Sequence, residues 1–272
     1  MTDQVERPGV AVVPGGHGHP ARRPWVVVSV TASVDGRVAL NRSTTLMDEV
    51  AADVWRLLHP AGAEQVLAER RALIESAFHP EVVLEGSGTF VTDRAEPPAG
   101  LPPANVRAST LLEHYLPEPA DCRWFVVVDS RGRIRWTYTG DAGTRLLVLV
   151  SRSTPIDYLA YLRGEGIPYI VAGGDRVDLP LALSLLAELL GVTCVVSEAG
   201  GGLNGALLRA GLVDEFHLVL LPSLIGGRDT PGTFDGAPLL SGQIPTPLRL
   251  RDVQSTTDGV IRLHYEAAVP RE

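Results

Sequence analysis

The densest chemical signal in the chain is the run Ser197-Glu198-Ala199-Gly200-Gly201-Gly202-Leu203-Asn204-Gly205-Ala206. It follows a β-branched apolar stretch, Thr193 to Ser197, and opens a helical pattern, Leu203 to Ala210. The first N–H groups of a helix have no intrahelical acceptor, and the helix dipole puts partial positive charge on them. Glycines there let backbone approach a diphosphate without a Cβ in the way. Gly200, Gly201, Gly202, Leu203 and Asn204 are therefore candidate anion-binding positions, though a ligand-free strand–helix turn has the same composition. A carboxylate beside an anion site serves phosphate poorly. Glu198 suits a polar substrate group or a proton relay better.

Three further turns follow apolar strand-like runs. Gly86-Ser87-Gly88-Thr89 closes Glu81 to Glu85, with Asp93 four residues on. It lacks the Lys-Ser/Thr pair of a P-loop, and neither glycine turn completes G-x-G-x-x-G. Asp129-Ser130-Arg131-Gly132-Arg133 closes Phe125 to Val128, and Ser151-Arg152-Ser153-Thr154 closes Leu146 to Val150. Hydroxyls and guanidinium forks suit a ribose 2′-phosphate, and solvated turns use the same residues. The run Tyr169 to Val171 ends at Gly173-Gly174. In Thr31-Ala32-Ser33-Val34-Asp35-Gly36, Asp35 is either a turn residue or part of a site.

Other chemistries leave no trace. There is no H-E-x-x-H, no H-x-E with C-x-x-C and no G-x-S-x-G. No metal site is expected, and His17 and His19 sit in a Gly/Pro-rich tract that reads as flexible leader. His217, in an apolar run, reads as a satisfied core or edge histidine. Cys122 and Cys194 are too few for a disulfide framework and read as buried thiols.

Strands at the ends of which these turns lie must alternate with helices. The pattern predicts a strand over Trp25 to Val30 and a helix capped by Asp48 that buries Val50, Val54, Leu57 and Leu58. A second helix is expected over Ala61 to Ala77, with Val66, Leu67, Leu73 and Ile74 apolar. After the strands already named come helices over Pro155 to Gly164 and Leu179 to Leu190, then strands over Phe216 to Leu221 and Arg262 to Ala267. Residues 94–121, rich in Pro, Ala and Glu, read as a surface excursion with a short helix at Ser109 to His114. Alternating strands and helices argue for an α/β sheet, and near-continuous apolar strands argue that both faces are covered. The strand-rich tail suits an antiparallel edge. Residues 1–23 read as leader and 24–268 as one folded domain.

The chain has 272 residues, 45% hydrophobic and 21% charged, with net charge −8 and pI near 5.4. An acidic balance disfavours nucleic acid and acidic membrane as partners. No signal peptide or bilayer-length run is visible, so a cytoplasmic protein is expected.

The four strand-end turns, in this order, resemble the reductase domain of the riboflavin-biosynthesis deaminase/reductase family. The likeness is densest over Ser197 to Gly227, S-E-A-G-G-G-L-N-G-A-L-L-R-A-G-L-V-D-E-F-H-L-V-L-L-P-S-L-I-G-G. Ala32 to Gly36 is similar to the family's S-L-D-G, Val83 to Thr89 to its V-G-x-G-T, and Phe125 to Ser130 to its V-V-D-S. The resemblance implies a dihydrofolate-reductase-like fold, with a mixed, mostly parallel central sheet and helices on both faces. It also implies a homodimer, and hydride transfer from NADPH to a ribosyl C1′ held as imine or aldehyde. By position, Gly200 to Asn204, Gly88, Thr89, Ala32, Asp93, Ser130, Arg131, Arg152 and Gly173 would hold the cofactor. Glu198 would face a small-molecule substrate, with Asp35 near it as the second catalytic candidate. The family's D-D-P-x-L-x-x-R, which serves the phosphoribosyl end, is replaced by Thr92-Asp93-Arg94-Ala95-Glu96-Pro97-Pro98. A pterin-like or other small substrate, or a nucleotide-binding module without turnover, are the alternatives that this departure leaves open.

Overall fold

The computed structural model describes residues 23–117, 122–141 and 143–268. The histidine-bearing tract and most of the expected leader lie outside the described residues. Nine strands form one sheet in the order β5-β4-β3-β2-β6-β1-β7-β9-β8. These are β1 (Trp25–Ser33), β2 (Val82–Gly86), β3 (Arg123–Val128), β4 (Thr144–Val150), β5 (Tyr169–Val171), β6 (Cys194–Ser197), β7 (Glu215–Leu221), β8 (Leu248–Ser255) and β9 (Ile261–Ala267). The pairs from β5 to β7 are parallel, and β7–β9 and β9–β8 are antiparallel. The mixed, mostly parallel sheet expected from the sequence is therefore present.

Both faces are covered. On one, Val26, Val28, Leu84, Val126 and Leu147 pack against α5 (Leu179–Leu190) and α6 (Gly201–Arg209). On the other, Val127, Leu146 and Val148 meet α4 (Ile156–Gly164), and Val27 and Val196 meet α2 (Ala63–Phe78). Helix α5 has the expected ends. The Asp178 carboxylate accepts the Leu181 N–H at 3.0 Å, and Gly191 stops the helix in the left-handed region at φ 69°. The G-L-V-D-E segment starts the sheet. Asp214 accepts the Val26 N–H at 2.8 Å and two guanidinium bonds from Arg23 at 2.7 and 3.0 Å.

Several expectations change. Helix α1 (Glu49–Arg56) is capped by Asp48 as predicted, but Val50, Val54 and Leu57 are 71%, 41% and 83% exposed. Two stripes compete on so short a helix, and the one carrying Ala51, Trp55 and Leu58 turns inward. In α2, Val66 and Ile74 are buried while Leu73 faces outward. The segment after Arg94 is docked as well as looped: α3 (Ala108–Leu111) buries Leu111 fully, and Tyr115 bridges to Tyr169 at the sheet edge. Strand β8 is absent from the sequence reading, because an edge strand exposed along nearly its whole length carries no burial pattern.

His217 is buried as expected but not satisfied. Neither ring nitrogen has a hydrogen-bond partner, and the ring stacks on His264 at 4.0 Å between centroids. Burial, with His264, Arg70 and Arg262 nearby, pushes its pKa down to about 3. Glu215, which accepts or shares the His264 Nε2 proton at 2.8 Å, completes a trio with donor atoms within 4.8 Å of one another. Lone pairs of imidazole lie in the ring plane. Two rings inclined at only 20° therefore aim theirs side by side, and the trio is a buried stack rather than a preformed chelate.

Candidate functional site

Strand β6 returns to the middle of the sheet, between β2 and β1, after the chain has wound outward to β5. Ligands of open α/β sheets bind beyond the carboxyl ends of strands at such reversals. The turn that follows β6 locks itself. Ser197 Oγ donates to Asn204 Oδ1 at 2.8 Å, and Asn204 Nδ2 donates to the Ala199 carbonyl at 2.7 Å. Both side chains are fully buried, so Asn204 shapes the turn from inside. Helix α6 starts at Gly200 without a side-chain cap, which leaves its first-turn N–H groups to a ligand or water. The glycines divide into two kinds. A Cβ at Gly200 or Gly202 would meet nothing within 4 Å, whereas at Gly201 it would lie 2.1 Å from the Gly232 carbonyl. Gly200 and Gly202 keep the approach open, and Gly201 lets the 232–235 loop close over α6.

Leu203, at the start of α6, packs beside Gly86 and so brings the second turn alongside. Gly88 is exposed with free space where a Cβ would stand. Thr89 donates its hydroxyl to Glu85 Oε2 at 2.7 Å. The third turn is tied to the second by Arg133, which donates to Ser87 Oγ and to the Thr92 carbonyl, each at 2.8 Å. Asp129 holds that turn by accepting the N–H groups of Arg133 and Ile134 at 2.8 and 3.1 Å. Here a cavity of about 320 Å³ is lined by Asp93, Ser130, Arg131, Arg133 and Ser153. Ser130 Oγ accepts the Val177 N–H at 3.0 Å, and Arg131 reaches Asp93 at 3.8 Å. Arg152 is exposed, its N–H bonded to the Gly173 carbonyl at 3.1 Å. Gly173, at φ 94°, serves its own turn, since a Cβ there would lie 2.4 Å from the Arg176 carbonyl. Arg42, which the sequence reading did not single out, reaches both Asp93 (3.5 Å) and Asp235 (3.3 Å).

Glu198 lies on the other side of the same sheet end. Its N–H bonds to the Leu84 carbonyl at 3.1 Å, and its exposed side chain lines a cavity of about 110 Å³ with Ser29, Arg70, Arg71, Glu75 and Arg123. Arg70 donates to the Val30 carbonyl at 2.6 Å. Burial pushes its pKa down to about 10, against the opposing pull of Glu198. Glu85 joins this side at the end of β2. Burial first, and the charge of Glu198 in addition, push its carboxyl up to about 7 despite the Thr89 hydrogen bond. The sequence did carry a signal for Glu85, a lone acid in V-V-L-E-G beside a glycine turn.

The remaining two candidates stand apart. Ala32 is fully buried in β1. Asp35 is a clasp: it accepts from Ser33 Oγ at 2.6 Å and from the N–H groups of Ile225 and Gly226 at 3.1 and 2.7 Å. Those bonds bring its pKa down to about 2. It therefore fastens the P-S-L-I-G-G loop to the end of β1 as a permanent carboxylate.

A central parallel sheet with an uncapped helix start at its reversal is the arrangement at which α/β folds commonly take nucleotides, and an arginine-bearing cavity lies by the third turn. The family model described as the RibD C-terminal domain matches residues 24–261. The chain belongs to that family, and the oxidoreductase expectation from the sequence stands with it. It is 30% identical over 220 residues to the 2,5-diamino-6-ribosylamino-4(3H)-pyrimidinone 5′-phosphate reductase of Archaeoglobus fulgidus, covering 80% of this chain and 89% of that protein. The reductase of the same name from Methanothermobacter thermautotrophicus is 28% identical over 217 residues, covering 79% and 85%. Among solved structures, the riboflavin biosynthesis reductase of Saccharomyces cerevisiae superposes with a TM-score of 0.56 at 16% identity, over 93% of each chain. Acinetobacter baumannii RibD gives 0.56 at 20% identity, over 92% of this chain, which spans only 59% of that one. These two likenesses show the fold. Among the described residues no helix is long and apolar enough to cross a membrane.

Proposed function

We propose that this chain is an NADPH-dependent reductase acting on a ribosylaminopyrimidine-type intermediate, or on a related imine or carbonyl. The uncapped start of α6 carries the reading. Gly200 and Gly202 leave open space, and backbone N–H groups there suit a dinucleotide diphosphate. Thr89 and Gly88 border that space, and Arg131 with Arg152 offers forks for a 2′-phosphate, which favours NADPH over NADH. Bound there, a nicotinamide supplies a hydride, and the protein has to orient the substrate and manage a proton. Glu198, Arg70 and Arg71 line the cavity assigned to the substrate. The curated relatives named above support the pyrimidinone phosphate as first candidate substrate.

The decisive experiment is calorimetry with NADPH and NADH, followed by NADPH oxidation in the presence of the ribosylaminopyrimidinone phosphate. Binding with turnover is expected. No binding at millimolar NADPH overturns the reading. A second substrate has a specific observation behind it, the missing D-D-P-x-L-x-x-R, and binding with turnover of only another imine or carbonyl would establish it.

The same proposal includes a homodimer. Strand β8 exposes a sheet edge with Leu248, Leu250 and Val253 at 44%, 50% and 55%. It also includes a cytoplasmic location, where the nicotinamide pool it would draw on resides.

A further inference from the structure

Reduction of a C=N or C=O bond needs more than a hydride. As the hydride reaches carbon, the π pair passes to the heteroatom, which must gain one proton. Of the two acids chosen from the sequence, neither suits that role. Asp35 is held ionised by its hydrogen bonds to Ser33, Ile225 and Gly226. Glu198 is exposed, with Arg70 and Arg71 lining the same cavity.

Glu85 has the placement that both lack. It ends β2 in the register where Leu84 pairs with Ser197, so it stands next to Glu198 across two parallel strand ends. One carboxylate oxygen accepts from Thr89, in the turn that borders the proposed cofactor space. No salt bridge to Glu85 exists among the described residues. Glu85 thus sits between the cofactor turn and the substrate carboxylate, half-buried and without a cation.

We propose that Glu85 is the general acid of the reduction, a further catalytic residue in the site read above as a reductase. Its O–H bond breaks as an N–H or O–H bond forms on the substrate heteroatom. The carboxylate left behind takes a proton from water before the next turnover. Thr89 orients it by donating to the oxygen that does not carry the proton. Of the charged groups nearby, Glu198, just after β6, acts on it directly; Arg70, Arg71, Glu75 and Arg123 line the neighbouring cavity with Glu198, and Arg133 bonds to Ser87. Burial first, and the Glu198 carboxylate in addition, keep Glu85 protonated nearer neutrality.

The inference rests on the reductase reading, and the test separates the two. The first measurement needs no turnover: infrared difference spectra of the protein alone across pH 5–9, wild type against Glu85→Gln. A protonated-carboxyl band that disappears near neutral pH in wild type and is missing from E85Q is expected. The second measurement is the pH profile of kcat with saturating NADPH. Wild type should lose rate as pH rises past about 7, and E85Q should fall by about 10²-fold or more with a flat profile and unchanged NADPH affinity. A carboxyl already ionised at pH 5, or an E85Q enzyme with wild-type kcat and profile, overturns Glu85 alone. No wild-type turnover of any imine or carbonyl tried, with NADPH bound, overturns the reductase reading and the acid together.

Discussion

Gly201 and Gly232 touch backbone to backbone: a Cβ on Gly201 would lie 2.1 Å from the Gly232 carbonyl oxygen. The Asp235 N–H also bonds to the Gly201 carbonyl at 2.8 Å, so the 232–235 loop is pinned onto the first turn of α6. Gly201 is thus a packing glycine inside a turn whose other glycines face open space. Gly201→Ala should destabilise the fold by about 1–3 kcal/mol, the scale of an overpacked buried site. Gly202→Leu should leave the unfolding midpoint nearly unchanged and weaken NADPH at least about tenfold, or 1.4 kcal/mol. Urea unfolding paired with calorimetry checks both, and the reverse pattern would remove the division of labour among the glycines.

How legible the site was follows from the same contrast. A run of three glycines after a strand announces a helix start by composition alone, so α6 and its turn were found from the sequence. Which glycine faces ligand and which faces protein depends on a loop some thirty residues later, and no local pattern encodes that. Helix α5 was legible to the residue because Asp178 and Gly191 bound one strong apolar stripe. Helix α1 was legible as a helix but not in its orientation, since two stripes share its 8 residues and only the packing against Val219 and Leu221 of β7 and Val66 of α2 chooses. Glu85 was passed over because its chemistry comes from burial first and then from Glu198, more than a hundred residues on, and neither is written in V-V-L-E-G. Asn204 and Asp35 were found as site residues, and the structure gives both of them backbone to hold.

The stacked pair His217 and His264 should make the fold acid-sensitive. The folded pKa of His217 is depressed from 6.5 to about 3, so the unfolded chain binds the extra proton between those values. Stability from keeping this ring neutral is present above pH 6.5 and is lost as pH falls below it. At about pH 4.5 the loss reaches at most roughly 2–3 kcal/mol from this residue. His217→Gln removes that titration. Unfolding free energies at pH 7 and 4.5 should therefore differ less in the variant than in wild type. An equal difference in both would show that the ring is protonated without cost.

Arg131 lines the cavity with Ser130 and Ser153, and the exposed Arg152 adjoins Ser153 in the chain; these are the residues proposed to hold a 2′-phosphate. Charge-assisted forks of this kind are worth about 1.5–3 kcal/mol each. Replacing both with Ala should weaken NADPH by about 10²-fold while leaving NADH within about threefold, and should flatten the salt dependence of NADPH binding. Equal losses for the two cofactors would move the 2′-phosphate elsewhere.

Asp35 should reveal itself through the loop it holds. Its carboxylate takes the Ile225 and Gly226 N–H groups, and its pKa of about 2 lies below the usual carboxylate value of 3.8. The stabilisation it gives is therefore present above pH 3.8 and is lost as pH falls toward 2. Across pH 5–9 it stays ionised, and no limb of the activity profile should belong to it. Asp35→Asn keeps one acceptor oxygen but loses the charge shared by both N–H groups. The variant should exchange the Ile225 and Gly226 amide hydrogens about tenfold faster or more, as local opening grows easier. It should bind NADPH with wild-type affinity and show the same alkaline limb in kcat as wild type. An alkaline limb that disappears in the Asp35→Asn variant would make Asp35, and not Glu85, the group that supplies the proton.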